Sequence, residues 1–300
     1  MIKKQAAVAR ETKSPVVEPG NTSSKANGRK KSSESLPASL SSITLRQVPA
    51  VNRAVAILFY LSASSNTLGV SKIARDLEIL PSTCLHILRE LVVGGLATFN
   101  ASDKTYGIGL GVLTLARQLS NKDMFAKAAQ MQIDAIARKF NVKATASRPD
   151  ELGHMVVVAC TTSEEDSQVH VPVGLRVPLL ASAGGRCFAA FNAMPEARLL
   201  QLFNKVRWQN GLRYEDWKAQ VASAKSTGLG IDEGAYRKGI TAIVVPVFSS
   251  DGSANRFIGA NAVSEQLGPT QRKELASALK SAARELSRVL MDGAPITGRQ

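Results

Sequence analysis

The sequence predicts an α+β protein in two folded parts, joined by a helix and preceded by a basic tail. Three observations lead there. After Val48, three short segments with helical apolar spacing are followed by a small hairpin. A long helical stretch from Leu110 to Phe140 then separates this unit from the rest of the chain. Beyond it, strand-like segments alternate with amphipathic helices, and the two clearest strands, 239–248 and 256–263, are joined only by a Ser/Asp/Gly turn. That mixture predicts an antiparallel sheet with helices packed on it.

Residues 1–46 are rich in Ser, Lys, Pro and Ala without apolar period, and are expected to be a disordered basic tail. They hold nine Lys/Arg against three acids, so they supply +6 of the formal charge of +14. A strongly positive balance points to an acidic partner, most simply nucleic acid.

The first folded part is expected over 47–109. Val51, Ala54, Val55, Leu58 and Leu61 mark its first helix; Val70, Ile73, Ala74 and Leu77 mark a second, with Gly69 at its N-cap. Pro81 suits the first position of a third helix, which should stop at Gly94–Gly95. LATF and TYGI flank NASDK and predict a hairpin. Three helices and a hairpin in about 60 residues describe a winged helix-turn-helix. A linker helix follows over 110–123, with a break near Asn121–Asp123, and a second domain over 124–294. Within that domain strands are expected at 143–147, 154–161 and 169–173, and helices at 182–192, 195–206, 214–227 and 269–291.

The third helix carries the first functional signal. On a helical wheel Cys84, Ile87, Leu88 and Leu91 share one face. Ser82, His86 and Arg89 share the opposite one, flanked by Leu85 and Glu90. A polar, cationic face that starts at a helix N-terminus, where backbone N–H groups are free, suits a phosphate and a major groove. Ser82, Thr83, Leu85, His86, Arg89 and, on the wing, Lys104 are therefore the candidate DNA contacts, Leu85 through a thymine methyl. The alternative is an ordinary amphipathic helix with a solvated face.

Other classes find little support. Three cysteines, Cys84, Cys160 and Cys187, suit a reducing compartment, and the three histidines form no metal-ligand spacing with them. The N-terminus lacks the apolar segment of a secretory signal, and the run from Ile240 to Phe248 is far short of the roughly 20 residues of a membrane helix. A soluble cytoplasmic protein without metal or cofactor is expected. Ser182, His170 and Asp232 are residue types of a catalytic triad, but no nucleophile elbow surrounds Ser182, and no phosphate loop or dinucleotide fingerprint occurs, so no enzyme is expected.

VNRAVAILFYLS, LGVSKIARDLEILPSTCLHILRELVVGGL and KTYGIGLGVLTLA resemble the N-terminal domain of IclR-type bacterial transcriptional regulators. PLLASAGGRCFAAF and GLGIDEGAYRKGITAIVVPVF resemble that family's effector domain, a GAF-like fold. The resemblance runs from about 48 to 292, with the motifs in order. It implies a ligand-controlled regulator that forms a homodimer or a dimer of dimers and binds double-stranded DNA at a palindromic operator. The implied effector is a small organic molecule, often an acid. The effector-binding positions it implies are Ala183, Gly184, Asp232, Ile240, Ala242, Asn261 and Val263. Departures are specific: His86 stands where a basic residue is common, Lys72 where an acid is common, and Lys104 is the only cation of the wing.

Physically, the small residues of Ala181–Arg186 let a ligand approach the backbone at a helix start, although a tight turn packed for its own sake needs the same residues. Asp232 suits a hydroxyl, or orients or caps its loop, better than it suits a carboxylate. Two alternatives stand beside the sensor: a DNA-binding oligomer whose second domain serves assembly alone, and a redox sensor built on Cys187.

Overall fold

The computed structural model describes residues 48–161 and 169–292. The basic tail expected over 1–46 lies outside the described residues.

The N-terminal unit holds α1 (Pro49–Ser62), β1 (Leu68–Gly69), α2 (Val70–Asp76), α3 (Pro81–Val93), β2 (Ala97–Asn100) and β3 (Thr105–Ile108). The strands form an antiparallel sheet in the order β1-β3-β2, so the hairpin gains a third strand that the sequence pattern did not show. Two residues are too few to display a period. Ile57 and Leu61 of α1, Ile73 and Ala74 of α2, and Cys84, Leu88 and Leu91 of α3 bury one core with Ala97 and Tyr106. This is the layout of a winged helix-turn-helix. Val51 and Val55, two of the residues whose spacing marks this helix, are 57% and 46% exposed. With Val48 and Phe59 they form a second apolar stripe on the outer side of α1.

Helix ends are set by backbone bonds. After α3, Leu96 N–H reaches Leu91 O and Gly95 N–H reaches Val92 O, with Gly95 at φ 71°. This paired closure uses orphan carbonyls and favours a residue without Cβ. After α2 the same closure recurs, Ile79 N–H to Ala74 O and Glu78 N–H to Arg75 O, but a glutamate holds the left-handed position at φ 54°.

α4 (Gly111–Lys122) and α5 (Met124–Phe140) follow. Asp123 separates them: its side chain accepts from Ala126 N–H at 2.9 Å and caps α5. The C-terminal domain adds β4 (Lys143–Pro149), β5 (His154–Cys160), β6 (Arg176–Pro178), α6 (Ser182–Phe191), α7 (Glu196–Asn204), α8 (Tyr214–Thr227), β7 (Gly230–Glu233), β8 (Ile240–Val247), β9 (Arg256–Val263) and α9 (Pro269–Asp292). Its six strands run antiparallel in the order β6-β5-β4-β9-β8-β7.

α5 and α9 cover one face of this sheet through Ile133, Ile136, Leu275 and Leu279. On the other face α6, α7 and α8 contribute Cys187, Leu202, Phe203 and Trp217. A strand covered on both faces reads as a nearly continuous apolar run, which explains the sequence of β8. The expected strand at 169–173 is not formed. Val169 and Val171 are buried against Val157. The edge of β5 is already taken by β6 and by Gly174 and Leu175, which exchange bonds with Val157.

Candidate functional site

α3 presents Ser82, His86 and Arg89 to solvent, with Glu90 beside them. Thr83 and Leu85 are half-buried, and Leu85 packs on the domain core rather than standing clear of it. Lys104 is exposed at the tip of the hairpin, at φ 53°. A further cluster lies on α2. The Asp76 carboxylate accepts from Tyr60 Oη, from Lys72 Nζ at 3.0 Å and from Arg75 Nε at 3.3 Å. The Tyr60 hydroxyl, with the two cations, holds the Asp76 carboxyl down at about 2. Two of the five cations of this domain are thereby committed to an internal carboxylate, which leaves Arg53, Arg89 and Lys104.

A cavity of about 710 Å³ opens on the C-terminal domain, which supplies most of its lining. Its wall includes a transverse row of the sheet. Asp232 of β7 faces Ala242 of β8, which faces Asn261 of β9. Those three positions, with Gly184 and Ile240, line the cavity. Ala183 and Val263 do not. Ala183 is fully buried, with its carbonyl turned to Gly230, where a Cβ would stand 2.3 Å from it. Val263 pairs with Ile240 and packs beside Val157, Val169 and Val171.

The loop before α6 divides its labour between two glycines. A Cβ on Gly185 would meet the Leu180 carbonyl carbon at 2.1 Å, so this glycine serves packing. A Cβ on Gly184 would find its nearest neighbour, Met155 Cε, at 3.8 Å, and Met155 itself lines the cavity. Ser182 enters the helix at φ 55°, a strained conformation for a residue with a side chain, and also lines the cavity. The first N–H groups of a helix have no partner within it, so this end supplies donors and a positive dipole.

Asp232 is 3% exposed. Its carboxylate accepts from the backbone N–H groups of Ala235 at 3.0 Å and Tyr236 at 3.2 Å, and pairs with Arg186 at 3.4 Å. Arg186 is itself 1% exposed; it donates to Gln220 Oε1 and to the Ser182 carbonyl, each at 2.7 Å. Burial pulls the Arg186 guanidinium below its ordinary value, while Asp232 opposes that shift. Asp232 thus ties together both loops of the cavity, the one before α6 and the one after β7.

Sequence reasoning missed Thr145, Ser147, His170, Arg176, Tyr236 and Arg237, all of which line the same cavity. Arg176 is paired with Asp150 at 2.6 Å. Burial alone raises the Asp150 carboxyl, but the His154 N–H and the Arg176 guanidinium outweigh it and leave it lowered. Arg237 forms no ion pair among the described residues, so the cavity's formal balance is positive. Cys187 is not among the residues that line the cavity. It donates to the Val244 carbonyl, and burial pushes its thiol up to about 12. A thiol so held is not a thiolate at neutral pH, which opposes the redox reading. A second groove of about 590 Å³ runs along α9 and contains none of the expected positions. Among the described residues no helix is long and apolar enough to cross a membrane.

Comparison with known proteins places this architecture. Residues 116–288 match the model of the bacterial transcriptional regulator IclR C-terminal domain. The glycerol operon regulatory protein of Streptomyces griseus is 23% identical over 251 residues, covering 83% of this chain and 98% of that protein. The transcriptional repressor AllR of Escherichia coli K12 is 22% identical over 260 residues, 85% of this chain and 94% of AllR. An IclR transcriptional regulator of Alicyclobacillus acidocaldarius superposes with a TM-score of 0.70 at 20% identity, covering 81% of this chain and 99% of that one. An IclR homologue of Microbacterium hydrocarbonoxydans, solved with 4-hydroxybenzoate, gives 0.67 at 19% identity, with coverages of 80% and 98%. The chain belongs to the IclR family of bacterial transcriptional regulators.

Proposed function

We propose that this protein binds a palindromic operator through α3 and the wing, and that a small organic acid in the 710 Å³ cavity controls that binding. The observation that carries the reading is the composition of the cavity. It combines an apolar body, formed by Met155, Val157, Val171 and Val244, with an unpaired cation at Arg237 and free helix-start donors before α6. Apolar walls with a few convergent polar groups are the usual makeup of a ligand pocket. Asn261 and Thr145 supply side chains for a second polar group on the ligand. The homologue bound to 4-hydroxybenzoate supports the same chemical class. We take the protein to act as a homodimer, because Val51 and Val55 on the outer side of α1, and Leu113 and Leu115 of α4, leave large apolar side chains exposed. Ligand must favour one dimer geometry over another, since equal affinity for both shifts nothing.

The test uses the full chain and a series of aromatic and aliphatic monocarboxylates. A ligand at about 100 times its Kd stabilises the folded protein by about 2.7 kcal/mol, a readily measured rise in melting temperature. Gly184→Val points two methyls toward Met155 and should abolish that rise while leaving the unliganded melting temperature and DNA binding intact. Gly185→Ala should instead disrupt folding. A Gly184→Val protein that still responds places the ligand elsewhere.

A further inference from the structure

The cavity is not walled by the C-terminal domain alone. Ser62, Ala63, Ser64 and Ser65, the turn that leaves α1 of the winged helix, stand on its rim. Beside them Phe59, 53% exposed, lies 5.3 Å from the Arg176 guanidinium, ring centroid to carbon. Arg176 lines the cavity and is held from behind by Asp150 at 2.6 Å and His154 Nδ1 at 3.1 Å. A single guanidinium therefore touches the DNA-binding unit, the cavity and a carboxylate of the C-terminal domain.

The serines of this turn do not all serve the turn. Ser62 donates to the Phe59 carbonyl at 2.9 Å. Ser64 donates to the Asn66 carbonyl at 2.7 Å and accepts from the Asn66 N–H at 3.3 Å. Such local bonds are the ordinary use of serine where a helix ends. Ser65 makes no hydrogen bond among the described residues, yet it lines the cavity.

We propose that the effector site is a composite of both domains: the Ser65 hydroxyl hydrogen-bonds the bound effector, and the 62–65 turn, latched by Phe59 on Arg176, closes the mouth over it. This rests on the reading of the cavity as the effector site and goes further, because it gives the ligand direct contact with the DNA-binding domain. The ligand class is a small organic anion that carries a hydrogen-bonding group at its rim end. The latch is one cation–aromatic contact and one short turn, which a ligand-sized interaction is able to bias. Occupancy and the position of α1 then form one equilibrium, and the coupling between them is reciprocal. Transmission along α4 and α5 is not needed for this first step.

The test titrates the full-length protein calorimetrically with 4-hydroxybenzoate, benzoate and hexanoate. Wild type is compared with Ser65→Ala, Phe59→Ala and, as a cavity control, Gly184→Val. Ser65 is exposed, so Ser65→Ala should melt with wild type when unliganded, whereas Phe59→Ala gives up the Arg176 contact and should melt slightly lower while staying folded. The proposal expects binding of at least one acid, its loss in Gly184→Val, and weakening of about fivefold in Ser65→Ala, the usual consequence of one lost hydrogen bond. Phe59→Ala should weaken binding as well, and amides of residues 62–66 should exchange more slowly once ligand is bound. If Gly184→Val abolishes binding while Ser65→Ala, Phe59→Ala and the amides are unaffected, the cavity reading stands and the composite site is overturned. If no acid binds, or if binding ignores Gly184→Val, the cavity reading fails and the composite site fails with it.

Discussion

Arg89 and His86 are exposed on α3, while Cys84, Leu88 and Leu91 of the same helix are buried. The exposed face of this helix can therefore be altered without disturbing the buried one. His86→Ala or Arg89→Ala should weaken binding to an operator selected from random duplexes by about 1–3 kcal/mol where the side chain reads a base, with no change in melting temperature. Fluorescence anisotropy on both variants checks this, and wild-type affinity in both removes α3 from the groove. The exposed and buried faces of α3 were legible because a helix with one buried face repeats its signal every three or four positions. The cavity has no such period. Asp232, Ala242 and Asn261 form a row only once β7, β8 and β9 are in register, and resemblance to a family, not spacing, pointed to them. Thr145, His170 and Arg237 reach the cavity from separate segments, with no local pattern to mark any of them. The same resemblance included Ala183 and Val263, which the fold turns away from the cavity wall.

At the scale of elements, two helix ends with the same bond pattern differ in one residue. Gly95 closes α3 at φ 71°, and Glu78 closes α2 at φ 54°. A side chain in the left-handed region costs about 1–2 kcal/mol, partly offset in glycine by the greater freedom of the unfolded chain. Glu78 is exposed, and its side chain makes no hydrogen bond or ion pair among the described residues. Glu78→Gly should therefore stabilise the protein by about 1 kcal/mol, and Gly95→Ala should destabilise it by a similar amount. Urea denaturation monitored by circular dichroism measures both. Equal stability of Glu78→Gly and wild type would mean that the turn relaxes the strain in another way. The end of α3 was legible from Gly94–Gly95, whereas nothing in the letters around Glu78 announces a left-handed residue. β1 and β7 were missed for a related reason: they owe their existence to partners across the sheet, and short strands carry little period of their own.

For the whole molecule, charge sets the remaining problem. From Val48 to Leu110 the formal balance is five cations against four acids, a net of +1, and Asp76 engages two of the five. Duplex binding normally draws much of its affinity from phosphate neutralisation and the release of condensed counterions. The nine cations of residues 1–46, outside the described residues, are the nearest supply in sequence. An arm that follows the phosphate backbone or a minor groove adds affinity without reading bases. Deleting residues 1–46 should therefore weaken specific and random duplexes by similar factors and leave the order of sequence preference unchanged. The slope of log affinity against log salt should also become shallower by about 0.9 for each phosphate contact removed. Both proteins are titrated across a salt series, with circular dichroism establishing that the truncated one is folded. Superimposable salt plots would show that the segment touches no phosphate. The affinity would then have to come from Arg53, Arg89 and Lys104, and Arg53→Ala should flatten the plot instead.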